Sequence, residues 1–154
     1  MARGVEAAVI IAVLNGPNLN LLGTREPDLY GRETLAEVER HLQRVASELS
    51  VTLEFSQHNG EGELIDRVHA MRDRVHGAVV NAGAYTHSSL ALRDALTGIA
   101  LPFVEVHITN THARELVRRR SMLASAAVGS VVGLGTYGYE LALRGLVQHL
   151  SPHD

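Results

Sequence analysis

The chain is predicted to fold as one α/β domain built around a parallel sheet. Apolar runs of strand length alternate with stretches of helical periodicity, and the alternation passes through five strands. No repeat, linker or low-complexity segment interrupts it. At 154 residues the chain is long enough for one real core and too short for two ordinary domains.

The elements follow in order. Ala8 to Leu14 is a continuous apolar run, as a strand buried on both faces requires. Thr34 and Glu37 have capping-box spacing and open a helix to Leu49, with Leu35, Val38, Leu42, Val45 and Leu49 on one face. Val51 to Gln57 alternates and reads as an edge strand. Asn59-Gly60 makes a turn, and Leu64, Ile65, Val68 and Met71 mark a second helix. Gly77 to Asn81 is a short buried strand, Ser88 to Gly98 a helix capped by Ser88 or Thr86, and Pro102 to Ile108 a strand. Ala113 to Ser121 is a predicted helix, Val128 to Leu134 a glycine-rich strand, and Tyr137 to Leu150 the final helix. The simplest arrangement is a flavodoxin-like, three-layer fold with strand order 2-1-3-4-5.

Composition removes several chemistries. There is no cysteine, hence no thiolate nucleophile, disulfide or cysteine metal site. All fourteen basic residues are arginine, so no lysine can form a Schiff base or serve a P-loop. A net charge of −3 gives no reason to expect nucleic acid or a membrane surface as partner. No apolar run approaches a membrane span, the start lacks a signal-peptide layout, and a cytoplasmic protein is expected.

Asn15 to Tyr30 is long and irregular, as binding loops and lids are. Arg25 and Tyr30 within it pair a guanidinium with a phenol, which favours the phenolate and would suit a general base. The alternative is a surface arginine and a tyrosine tucked beneath its loop. In sheets of this kind ligands sit beyond the carboxyl ends of the strands, where Asn18, Asn81 and His107-Ile108-Thr109 are placed. Glu105 and His107 are two apart on one strand and face the same way. They form either a general acid with its orienting carboxylate or a buried, neutral histidine. Asn81 to Ser89 suits a carboxylate or phosphate, or only caps the next helix. Arg114 and Arg118 share a helix face if that helix forms, either solvated or with one arginine turned to the pocket. Nine histidines show no metal-ligand spacing, and His41, His149 and His153 are expected at the surface. Gly133 to Gly138 matches G-x-G-x-x-G but follows the last strand, so a tight turn with close packing is preferred over a dinucleotide site.

Five motifs in order, N-G-P-N-L-N-L-L-G-T-R-E-P-D-L-Y, N-A-G-A-Y-T-H, A-L-R-D-A, P-F-V-E-V-H-I-T-N and V-V-G-L-G-T-Y-G-Y, resemble those of the type II 3-dehydroquinate dehydratases, from Ile10 to Leu150. The resemblance implies trans-dehydration of 3-dehydroquinate to 3-dehydroshikimate through an enolate, in the shikimate pathway, without metal or cofactor. It implies that Tyr30 is the base, Arg25 its activator, Asn18 the holder of a water at the enolate oxygen, and His107 the acid oriented by Glu105. Asn81, His87 and Arg118 would bind hydroxyls, and Ile108 and Thr109 the carboxylate. Leu22 to Tyr30 would be a lid. Asp94 would enter a neighbouring subunit's site in a dodecamer of four trimers. Thr109 stands where the family often has serine, and Arg120 where it often has histidine. Residues 1–7 are expected to be a flexible extension and 8–154 a single catalytic domain. The rival from another class is a non-catalytic flavodoxin-like module that binds a nucleotide or flavin.

Overall fold

Five parallel strands pair in the expected order β2-β1-β3-β4-β5 in the computed structural model, which describes residues 7–152. The strands are β1 (Ile10–Asn15), β2 (Thr52–Gln57), β3 (Gly77–Asn81), β4 (Phe103–His107) and β5 (Gly129–Val132). The helices are α1 (Pro27–Tyr30), α2 (Leu35–Glu48), α3 (Glu61–His69), α4 (Leu90–Gly98) and α5 (Tyr137–Leu150). Of the expected N-terminal extension only Ala7 lies within the described residues.

Alternation along the strands sorts the core into two halves. Ile11, Val13, Val79 and Val106 point to one face, where they meet Val38, Leu42 and Val45 of α2 and Tyr139, Leu143 and Leu146 of α5. Ala12, Leu14, Ala78, Val80 and Phe103 point to the other, against Leu64 and Val68 of α3 and Leu92 and Leu96 of α4. The three inner strands are buried almost throughout, while β2 and β5 at the edges are not. The capping box at Thr34 and Glu37 forms as the spacing predicts.

Three expectations need correction. The predicted helix over Ala113 to Ser121 is instead two single 3-10 turns, Thr111–Ala113 and Leu116–Arg118, with Arg114 extended between them. Leu116 and Val117 are adjacent and 78% and 72% exposed, so no apolar stripe exists to pin a helix here. The loop Asn15 to Tyr30 is less irregular than it reads: it holds a 3-10 turn, Leu19–Leu21, and the one-turn α1 opened by Pro27. Finally, α4 is capped by Ser89, whose Oγ accepts from the Leu92 amide, and not by Ser88 or Thr86.

The sheet positions the site through one close approach. After β1 the chain turns at Gly16, whose amide donates to the Asn81 carbonyl at 2.8 Å. A Cβ at Gly16 would lie 2.3 Å from the Ala82 carbonyl oxygen. Gly16→Ala should therefore destabilise the protein by about 1–3 kcal/mol in denaturant unfolding. Gly62→Ala in α3, where nothing lies within 4 Å, should be neutral or stabilise by up to about 1 kcal/mol.

Candidate active site

A cleft of about 130 Å³ opens at the carboxyl ends of β1, β3 and β4. Asn18, Arg25 and Tyr30 from the first loop line it, with Asn81 at the end of β3, Ile108 and Thr109 after β4, and Arg118. The structure thus brings seven of the expected site residues onto one cleft. Arg114 joins them, so both members of the Arg114 and Arg118 pair, read as either solvated or with one arginine turned to the pocket, line the cleft.

Two guanidinium groups approach Tyr30. Arg25 Cζ lies 5.1 Å and Arg114 Cζ 5.7 Å from the ring centroid. The hydrogen bond to the phenol comes from Arg114, whose Nη1 donates to the Tyr30 hydroxyl at 2.9 Å. Arg114 can reach back because its backbone is extended between the two 3-10 turns. A charged donor aimed at a phenolic oxygen stabilises negative charge that develops there.

The second pair lies beneath the end of β4. His107 Nε2 donates to Glu105 Oε1 at 2.5 Å, which leaves Nδ1 as the ring atom free for proton transfer. Thr86 and Ser121 donate to the same carboxylate oxygen, at 3.1 and 2.7 Å. Burial, the strongest influence on Glu105, would raise its carboxyl. The bonds from His107, Ser121 and Thr86 and the attraction of the imidazolium outweigh it, and the group lies below the usual carboxylate range. Thr86 is therefore a carboxylate partner rather than a helix cap.

His87 stacks near His107, with ring centroids 6.2 Å apart and planes at 21°. Its Nδ1 lies 2.8 Å from the Arg120 carbonyl, so Nδ1 carries the proton and Nε2 is left as acceptor in the neutral ring. That contact uses the backbone of residue 120, so an arginine there preserves it. Asn18 is held in the left-handed region, φ 69°, by the Asn59 side chain, which accepts from its amide at 3.1 Å. Asp94 stands apart, exposed on α4 beside a groove formed with His69, Arg72 and Gly98.

The glycine motif after β5 is the tight turn that its position predicts. Gly133, at φ 85°, packs where a Cβ would lie 3.0 Å from Asn110. The amides of Gly133 and Gly135 donate to the His107 and Ile108 carbonyls, so they are spent on the sheet and not turned to a phosphate. Among the described residues no group of three or more His, Asp or Glu side chains is placed to hold a metal ion. His149 is exposed, His41 is half-exposed and bonded to Glu140 at 2.6 Å, and His153 lies outside the described residues. No helix among those residues is long and apolar enough to cross a membrane.

The family described as Dehydroquinase class II matches residues 9–147. The chain belongs to that family. It is similar to a 3-dehydroquinate dehydratase of Gemmatimonas aurantiaca, 63% identical over 143 residues, which are 93% of this chain and 94% of that one. It is also similar to catabolic 3-dehydroquinase 1 of Aspergillus terreus, 54% identical over 141 residues, with 92% and 90% covered. The crystal structure of a type II dehydroquinase from Propionibacterium acnes superposes with a TM-score of 0.86 at 38% identity, covering 92% of this chain and 99% of that one.

Membership of the family and the geometry of Glu105 give a pH prediction. A carboxyl lowered by folding contributes stability that is present above its unfolded value, near 4.5, and is lost as pH falls through its folded value. Wild-type unfolding free energy should thus decline with acid below about pH 4.5, and Glu105→Gln should flatten that limb in denaturation series at successive pH values.

Proposed function

We propose that this chain is a type II 3-dehydroquinate dehydratase, acting in the shikimate pathway, and that the cleft at the carboxyl ends of β1, β3 and β4 is its active site. The observation that carries the assignment of roles is Tyr30, approached by Arg25 and Arg114 on the cleft that also holds Asn18, Asn81 and Thr109. Tyr30, as phenolate, takes the proton next to the ketone, and the electron pair of that C–H bond forms the enolate. A water on Asn18 supports the enolate oxygen. Collapse of the enolate breaks the C–O bond, and His107 Nδ1 gives its proton to the departing hydroxyl, which leaves as water. Glu105 orients His107 by accepting from its Nε2. No lysine exists to form a Schiff base.

The same cleft supplies binding groups. The Ile108 and Thr109 amides and the Thr109 hydroxyl take the substrate carboxylate. Asn81 and Arg118 hold ring hydroxyls, and His87, which stacks near His107 and is not part of the cleft's lining, accepts from another through Nε2. Leu22 to Tyr30 closes over the ligand as a lid that excludes water. Asp94 faces away from its own chain's cleft, which fits a role in a neighbouring subunit's site within a trimer and, beyond it, a dodecamer. The enzyme works in the cytoplasm.

Purified, EDTA-treated protein mixed with 3-dehydroquinate should produce the ultraviolet absorbance of the conjugated product, and borohydride added with substrate should not inactivate it. Silence from folded protein would sink the proposal. Tyr30→Phe should lower kcat by about 10²–10⁴-fold with ligand affinity nearly kept, and a fully active variant would remove Tyr30 as the base. Asp94→Ala subunits mixed with Tyr30→Phe subunits should regain activity if Asp94 acts in trans. No recovery in verified mixed oligomers would place Asp94 outside the site.

A further inference from the structure

The proposed mechanism leaves one polar network unused. Beneath the cleft, three fully or almost fully buried side chains meet: Asn15, Asn81 and Tyr139. The Tyr139 hydroxyl comes from α5, 124 residues along the chain from Asn15, and donates to Asn15 Oδ1 at 2.7 Å. It accepts from Asn81 Nδ2 at 2.8 Å.

The direction of every bond in this network is dictated by its two ends. Asn15 must turn its Nδ2 toward the Ser56 carbonyl, 3.1 Å away, because a carbonyl can only accept. Its Oδ1 therefore faces Tyr139, and the single phenolic proton goes to Asn15. Burial raises the Tyr139 phenol well above its ordinary value, so that proton stays in place. With its proton committed, the hydroxyl can only accept from Asn81, which must present Nδ2. At the other end the Gly83 amide donates to Asn81 Oδ1 at 3.2 Å and demands the same orientation. An asparagine amide has two nearly isosteric settings, and this network permits one. What Asn81 offers the cleft is fixed in consequence as one remaining N–H and one remaining lone pair.

We infer that Tyr139 is a positioning residue for substrate binding, which sets the orientation of the Asn81 amide through a hydrogen-bond chain anchored on the Ser56 carbonyl. The inference rests on the reading of Asn81 as a group that holds a substrate hydroxyl. Tyr139 itself is fully buried beneath the ends of β1 and β3, outside the lining of the cleft, and touches no reacting atom. Without its hydroxyl, Asn81 retains only the Gly83 bond, and the amide is no longer held in one setting. The loss falls on ground state and transition state alike, so it belongs in KM rather than kcat.

The test is a double-mutant cycle read by steady-state kinetics with 3-dehydroquinate. Tyr139→Phe should raise KM about tenfold with kcat within about threefold of wild type, and in an Asn81→Ala background it should raise KM no further. An unchanged KM in Tyr139→Phe, or a KM effect that adds fully to that of Asn81→Ala, would overturn the inference. If Asn81→Ala alone leaves KM unchanged, the reading of Asn81 fails instead, and the two failures are distinguishable. Should Tyr139→Phe not fold, Asn15→Ala removes the acceptor of the phenolic proton while keeping the ring packed. It should show the same KM rise, coupled in the same way to Asn81, and an unchanged KM there would equally overturn the inference.

Discussion

The approach of two backbones at the seam between β1 and β3 is the constraint on which the site depends. Asn15 and Asn81 are register partners at the carboxyl ends of these strands, and Gly16 then turns so closely over Ala82 that no side chain fits. The connection from β1 runs outward to β2 on one side, while β3 continues to β4 on the other, so the chain parts here and leaves a crevice. The first loop rises from one wall and the segments after β3 and β4 from the other. Tyr30 and Asn81, 51 positions apart in the sequence numbering, line the same cleft for that reason.

Around this crevice charge is divided between two compartments. The dry one holds Glu105 and His107, and a single carboxylate oxygen takes donors from three different segments. A buried carboxylate is costly without such partners, so β4, the turn after β3 and the segment at Ser121 are tied together by one charge. The wetter compartment holds Tyr30 with its arginines. A phenol beside two guanidinium groups and an imidazole beside a carboxylate are thus kept in separate surroundings at one end of the sheet.

Much of this was legible in the sequence, and for physical reasons. Strands buried on both faces must be continuous apolar runs, so β1, β3 and β4 announce themselves, and parallel strands place their loops at one edge. Asn18, Asn81, Ile108 and Thr109 could be located by that rule alone. What stayed hidden depends on contacts between distant segments that leave no local period. Arg114 reaches Tyr30 across 84 residues, and its own segment reads as helical although it lacks a buried stripe. Ser121 and Thr86 show no sign in sequence of the carboxylate they serve, and Tyr139 looks like one more apolar-face residue of α5. The helix expected after Ala113 shows the same limit from the other side, since helical residues do not make a helix where there is nothing to pack against.

Three arginines on one cleft concentrate positive charge where the rest of the chain carries the opposite balance. Arg25, Arg114 and Arg118 gather there on a chain whose net charge is −3. The molecule as a whole therefore repels an anion weakly, while the cationic cleft attracts it. Such a contrast works as a funnel at low ionic strength and fades as the Debye length falls to about 10 Å near 0.1 M salt. The rate at which a carboxylate meets this cleft should accordingly fall as salt rises.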